Sequence, residues 1–141
     1  MELALEGLRA LDLTDEKGFL CGKILGDLGA DVLKIEKPGG DPARRIGPFY
    51  HDIAHPEKSL YWLAYNSSKR GITLNIETVD GQDIFKKLAA SADFVIESFP
   101  PGYLTELGLD YASLREMNPR MIMISITPFG QTGPWKHHKA C

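Results

Sequence analysis

The chain has 141 residues, 43% hydrophobic and 25% charged, enough for one core of ordinary domain size and too few for two full domains. Lys and Arg number 16 against 19 Asp and Glu, a formal charge of -3 with no block of about five like charges, so a nucleic-acid partner is not expected. No apolar run approaches the ~20 residues that cross a bilayer, the opening MELALEGLRA lacks the basic end and apolar stretch of a secretory leader, and Cys21 and Cys141 make no CxxC pair; a soluble cytoplasmic protein with no membrane contact and no disulfide framework is expected.

Glycine and proline divide the chain into alternating short apolar runs and amphipathic stretches, without internal repeats. Residues 8–13 (LRALDL) read as a buried strand, broken by Thr14, Asp15, Glu16 and Lys17. Over residues 18–28 the apolar Phe19, Leu20, Ile24, Leu25 and Leu28 recur at helical spacing, and Gly29 stands where a helix C-terminal glycine belongs. Residues 31–35 (DVLKI) form the next strand, and residues 37–58, with their four prolines, a long functional loop. A helical turn over 59–65 leads to an alternating strand at 71–76 (GITLNI). Thr78 then caps a helix whose stripe is Ile84, Phe85, Leu88 and Ala89 and which ends near Ala90 and Ser91. A strand at 93–97 (DFVIE) runs into the turn Pro100, Pro101, Gly102. Asp110 caps a short helix through Met117, which Asn118 and Pro119 stop before the strand 121–127 (MIMISIT), the most apolar segment of the chain.

Strand–helix–strand units of this length imply the α/β class: a Rossmann-like open parallel sheet with right-handed crossovers and helices on both faces. Ligands of such sheets bind beyond the carboxyl ends of the strands, here residues 14–18, 36–40, 75–78, 97–102 and from 127 onward. The first loop, TDEKG, lacks the GxGxxG that admits a pyrophosphate, which argues against a dinucleotide held in the usual way. Glu36 mimics the acid that binds a ribose hydroxyl in that fold, but an acid ending a strand is more often solvated. In GGDPARR, Arg44 and Arg45 with Lys37 form a cation group suited to a phosphate, against the bland reading of solvated loop charges. Lys69 and Arg70 in NSSKRG read equally as phosphate contacts or as a structural lock between the long loop and the sheet. SFPPG, residues 98–102, offers an apolar wall for a flat heterocycle, or merely a proline turn. His51, His55, His137 and His138 lie in two loops without metal-ligand spacing, so no metal is expected. Cys141 has no identifiable activating base.

Taken together, LEGLRALDLTDEKGFLCGKILGDLGADVLKIEKPGGDPAR, NSSKRGITLNIET, ADFVIESFPPG and LGLDYASLREMNPRMIMISITPFGQTGPW resemble the N-terminal part of a type III coenzyme A transferase, the group that includes formyl-CoA transferase, carnitine CoA-transferase and alpha-methylacyl-CoA racemase. The resemblance spans essentially all of residues 1–141, and its blocks in one order are far more specific than any one of them. It implies an N-terminal CoA-binding Rossmann-like domain over 1–141, truncated before the catalytic aspartate and belonging to an interlocked dimer. The activity implied is movement of CoA between carboxylic acids through an aspartyl anhydride and thioester. The alternative is a catalytically empty subunit or truncated product that only binds a partner or CoA.

Carried over residue by residue, the resemblance sets Lys37 at the CoA phosphates, Leu74, Asn75 and Ile76 along the adenosine, Ser98, Phe99 and Pro100 on the next wall, and Lys139 as a second cation near the pyrophosphate. CoA or acyl-CoA is implied as substrate, with no tightly bound cofactor. The partners implied are a carboxylic acid substrate and a second subunit, identical or related. Glu16 and Lys17 depart from the glutamine that formyl-CoA transferase presents at that loop. Glu106 replaces a common Arg or Lys and would repel phosphates. Cys141 occupies the position of the racemase histidine base, which favours transferase over racemase.

Overall fold

An apolar run with no polar face to offer water is driven between two layers, and the amphipathic segment after it returns over the sheet as a crossover. A computed structural model describes residues 3–140. Five strands, β1 (Arg9–Leu13), β2 (Asp31–Glu36), β3 (Lys69–Thr73), β4 (Phe94–Glu97) and β5 (Ile122–Ser125), form one sheet in the order β3-β2-β1-β4-β5. Every neighbouring pair is parallel, as the α/β reading requires. The helices are α1 (Phe19–Asp27), α2 (Leu60–Asn66), α3 (Val79–Ala89), α4 (Tyr103–Glu106) and α5 (Tyr111–Met117).

Alternation along each strand sorts the side chains between two faces. Leu11, Leu13, Leu33, Ile35 and Val95 pack with Phe85 and Ala89 of α3 and Leu114 of α5. Ala10 and Val32 face the other way, against Leu25 of α1. Helices therefore cover both faces. The predicted caps form: Thr78 Oγ1 accepts from Gly81 N at 3.1 Å, and Asp110 Oδ1 accepts from Ser113 N at 2.9 Å.

The α1 face carries an ionic network where a parallel sheet is ordinarily apolar. Asp12 and Lys34 are buried. Lys69 Nζ donates to Asp12 Oδ2 at 2.8 Å, to the Phe19 carbonyl at 2.9 Å and to Asn66 Oδ1 at 2.9 Å. Lys34 Nζ donates to the Thr14 carbonyl and lies 3.5 Å from Asp12 Oδ1. Burial alone would push the Asp12 carboxyl up, but Lys34 and Lys69 together outweigh it and hold the group below the usual carboxylate range. The Lys69 ammonium is thus occupied by protein acceptors that tie β3 to β1, α1 and α2, not to the long loop. Arg70, beside it on the edge strand, pairs with Asp31 at 2.6 Å.

One expected strand is displaced, one short helix is additional and the long loop is ordered. The strand expected over 71–76 is β3, displaced toward Lys69; after Thr73 only Leu74 N still reaches Glu36 O, and Asn75 Oδ1 takes the Glu77 N–H to turn the chain. Leu74, Asn75 and Ile76 therefore lie in the loop beyond the strand rather than at its end. The short α4 was not expected, because a four-residue helix has no periodicity to read. The segment 37–58, expected as a functional loop, is anchored to the rest of the domain and supplies Lys37, Pro38, Asp41 and Pro42 to the lining of a cleft. Asp41 caps a 3-10 turn at Pro42–Arg45, whose Ala43 is buried against Phe19 and Trp62, and Ser59 Oγ donates to the Ile46 carbonyl at 2.5 Å.

Candidate functional site

The loops at the carboxyl ends of β1, β2, β3 and β4 enclose a cleft of about 590 Å³. Its apolar floor comes from Leu13 and Ile35 at the strand ends and from Leu74 and Ile76 beyond β3. From β1 the loop brings Thr14, Asp15 and Lys17; from β2 it brings Glu36, Lys37 and Pro38. Glu77 stands on the β3 side, and Ser98, Phe99, Pro100 and Tyr103 close the β4 side.

Seven of the expected site residues meet here: Lys37, Leu74, Asn75, Ile76, Ser98, Phe99 and Pro100. Lys139 is exposed and does not line the cleft. Glu106 is exposed outside the lining, so the repulsion expected of it is not built into these walls, and Glu16 likewise stays outside. Cys141 lies outside the described residues.

Of the three cations grouped around GGDPARR, only Lys37 lines the cleft, and it is exposed. Arg44 is turned inward onto Glu36, with Nε 2.6 Å from Oε2 and Nη2 2.7 Å from Oε1, a bidentate pair. Its guanidinium also lies 4.2 Å from the Trp62 ring centroid. Glu36 is therefore neither solvated nor available to a ribose. Its burial pushes the carboxyl up, but Arg44 and the Asp41 N–H, 2.9 Å from Oε2, bring it below its ordinary value. Asp41 itself is raised by burial, which the bond from Ala43 N only partly offsets.

Ser98 binds two loops together. Its Oγ accepts from Asp15 N and donates to Asp15 Oδ1, each at 2.8 Å. Burial raises the Asp15 carboxyl, while the Lys17 ammonium and the Ser98 hydroxyl together bring it below the usual range. With Asp15 answered by Lys17 and Glu36 by Arg44, Lys37 is left as the cation of the lining with no ion-pair partner among the described residues.

Sequence reasoning missed Tyr103 and Glu77. Gly102, at φ 92, takes a left-handed conformation that the preceding prolines cannot, and so delivers Tyr103 over Phe99 with ring centroids 4.7 Å apart and planes at 32°. The Tyr103 hydroxyl donates to Glu77 Oε1 at 2.8 Å. Burial and then this bond push the phenol up to about 12, so it is neutral throughout the physiological range. An aromatic residue just after a Pro-Pro-Gly turn at a strand end was the available signal. An apolar slot with an aromatic pair on one side and a free ammonium at its mouth suits a flat heterocycle carrying phosphate.

Residues 5–141 match the family model described as CoA-transferase family III. The chain is 44% identical over 126 residues to the BbsE subunit of succinyl-CoA:(R)-benzylsuccinate CoA-transferase from Thauera aromatica, covering 89% of this chain and 31% of that protein. It is 42% identical over 136 residues to the beta subunit of succinyl-CoA–L-malate CoA-transferase from Chloroflexus aurantiacus, covering 95% of this chain and 33% of that protein. Among solved structures, a CAIB/BAIF family protein from Brucella suis superposes with a TM-score of 0.89 at 42% identity, covering 98% of this chain and 37% of the other. The chain thus spans about a third of the length of the relatives it matches.

Proposed function

The chain belongs to CoA-transferase family III, a family of CoA-transferase enzymes, and from that premise we propose that residues 1–141 are the CoA-binding N-terminal domain of an enzyme that moves CoA between carboxylic acids. The observation that carries the proposal is the cleft at the carboxyl edge of the sheet, where an apolar slot and the exposed Lys37 stand side by side. In this reading Lys37 meets the phosphates of CoA, Leu74, Asn75 and Ile76 run along the adenosine, and Phe99 and Pro100 form the opposite wall. Ser98 shapes that wall through Asp15, since its hydroxyl is already engaged in both directions.

The chemistry proposed for the whole enzyme needs a carboxylate nucleophile, an aspartate supplied from outside these residues. That carboxylate attacks the thioester carbonyl of the donor, giving a mixed anhydride and releasing CoA thiolate. The thiolate then attacks the aspartyl carbonyl, giving an aspartyl-CoA thioester and the free donor acid. The acceptor acid next takes up CoA and the carboxylate is regenerated, so the cycle needs no tightly bound cofactor. This domain's part is to hold the nucleotide handle so that the thioester lies at a fixed distance from the nucleophile.

A second subunit, identical or related, is part of the proposal. Two observations support it: the Thauera aromatica and Chloroflexus aurantiacus relatives are named as subunits, and Leu20, Ile24 and Leu28 are exposed at a spacing of four along α1 and its end, with Leu63 of α2 exposed as well. No helix of the described residues is long and apolar enough to cross a membrane.

The test is calorimetric titration of the chain with CoA, or with succinyl-CoA, the donor named in both relatives. Lys37→Ala weakens binding about tenfold, the effect of one lost charge-assisted phosphate contact, while the far-UV circular dichroism is unchanged. Unchanged affinity removes Lys37 from the site, and no binding by the unaltered chain overturns the proposal.

A further inference from the structure

Resting on the CoA reading above, one further assignment follows from the Glu77–Tyr103 pair. Glu77 belongs to the loop after β3 and Tyr103 opens α4, so their hydrogen bond at 2.8 Å spans two loops that share no ladder contact. The bond uses one carboxylate oxygen, Oε1; Oε2 has no protein partner among the described residues, and Glu77 is an exposed residue of the cleft lining. Tyr103 is simultaneously held by Phe99, whose ring it overlaps, and Phe99 N is fixed in turn by Glu97 Oε2 at 2.7 Å. Leu74 and Ile76 line the same cleft. Asn75, between these two, uses its Oδ1 on Glu77 N, and its amide N–H groups have no protein acceptor among the described residues.

We propose that Glu77, oriented by Tyr103, reads the base of the nucleotide: its free oxygen accepts from the exocyclic amine of an adenine lying in the slot walled by Phe99 and Tyr103. A carboxylate accepts hydrogen bonds and donates none when ionised, so it favours a base with an amine at that position and repels one with a carbonyl oxygen there. Tyr103 is a positioning residue in this account. Its neutral hydroxyl occupies one lone-pair region of the carboxylate and fixes the plane of the other oxygen. In this account the base lies toward Glu77 and Tyr103 and the phosphates toward Lys37.

The test compares CoA with its deaminated analogue, in which a 6-oxo group replaces the adenine amine, by calorimetry on the chain. The unaltered chain binds CoA roughly tenfold or more tightly than the analogue, the value of one hydrogen bond to a charged group. In Glu77→Gln the amide can present its NH₂ to the base while its oxygen still accepts from Tyr103, so the preference collapses to parity or inverts. Tyr103→Phe keeps the ring stack and loses part of the discrimination, and it serves as the second variant if circular dichroism finds Glu77→Gln unfolded. Equal binding of both ligands by the unaltered chain, or full discrimination retained in a folded Glu77→Gln or in Tyr103→Phe, overturns this assignment and leaves the CoA reading standing. Failure to bind either ligand or 4′-phosphopantetheine overturns both.

Discussion

Glu97 illustrates how much a single residue's surroundings decide. Asp12 and Glu36 are buried with cations beside them, whereas Glu97, only 3% exposed at the end of β4, makes no ion pair among the described residues and accepts from Phe99 N at 2.7 Å and Gln131 Nε2 at 3.4 Å. Burial pushes its carboxyl above the ordinary value, which the Ser125 and Phe99 bonds offset only in part. A folded-state value above the unfolded one means that Glu97 contributes stability in full below about pH 4, and that this contribution disappears as pH rises through the folded value. Glu97→Gln is therefore expected to stabilise the chain at pH 7 by about 1 kcal/mol, because the amide oxygen still accepts from Phe99 N and no charge is buried. Urea titrations at pH 7 and near pH 4 check this, with the gain confined to the higher pH. From the sequence, Glu97 was only the first of residues 97–102 at a strand's carboxyl end, with no role of its own. Glu36 stood out only through its spacing from the first strand, and that spacing could not reveal that Arg44 already holds it.

At the scale of elements, the cleft depends on how tightly α3 is pressed against the loop after β3. Gly81 lies in the first turn of α3, and a Cβ there would meet the Asn75 carbonyl oxygen at 1.7 Å. That contact is with backbone, so it cannot be relieved by a rotamer change. Gly81→Ala is expected to cost roughly 1–3 kcal/mol of stability and to push Asn75 and Glu77 away from the slot. The accompanying loss of CoA affinity distinguishes it from an ordinary helix substitution, since alanine in an unobstructed helix interior stabilises; calorimetry and urea denaturation on the same sample read both. The α3 helix itself was legible from its stripe and its Thr78 cap, because those signals repeat within a few residues. The exit of β3 was not. The alternation over 71–76 continues past the point where Asn75 turns the chain, and a period-2 pattern does not record where a ladder stops.

Across the whole molecule, Lys69 joins the edge strand to the centre of the sheet and to both helices of one face. Lys69→Met leaves Asp12 buried with a weaker partner in Lys34, and a loss of about 3–5 kcal/mol is expected, a large part of the ~5–15 kcal/mol that holds a domain together. Arg70→Ala, which opens an exposed pair with Asp31, costs roughly 1 kcal/mol or less. Chemical denaturation of the two variants tests the contrast; equal effects would mean that the network is not what couples the layers. The same network favours acid unfolding. The Asp12 carboxyl is held below its ordinary value, so its contribution is present at neutral pH and fades as pH falls through the folded value.

What the sequence by itself determined is the alternation of buried strands with amphipathic helices, and hence a parallel α/β sheet whose loops at one edge carry the chemistry. Those features are written in residues a few positions apart, within reach of local periodicity and capping. Its ordered motif blocks likewise pointed to the family. The tertiary structure alone decided which charges remain available: Arg44 turns to Glu36, Lys17 to Asp15 and Lys69 to Asp12, leaving Lys37 at the cleft, while Tyr103 finds Glu77 across two loops. Side chains at a sheet edge choose partners by where the crossovers bring the loops, and that convergence in space has no counterpart in the linear spacing of the residues.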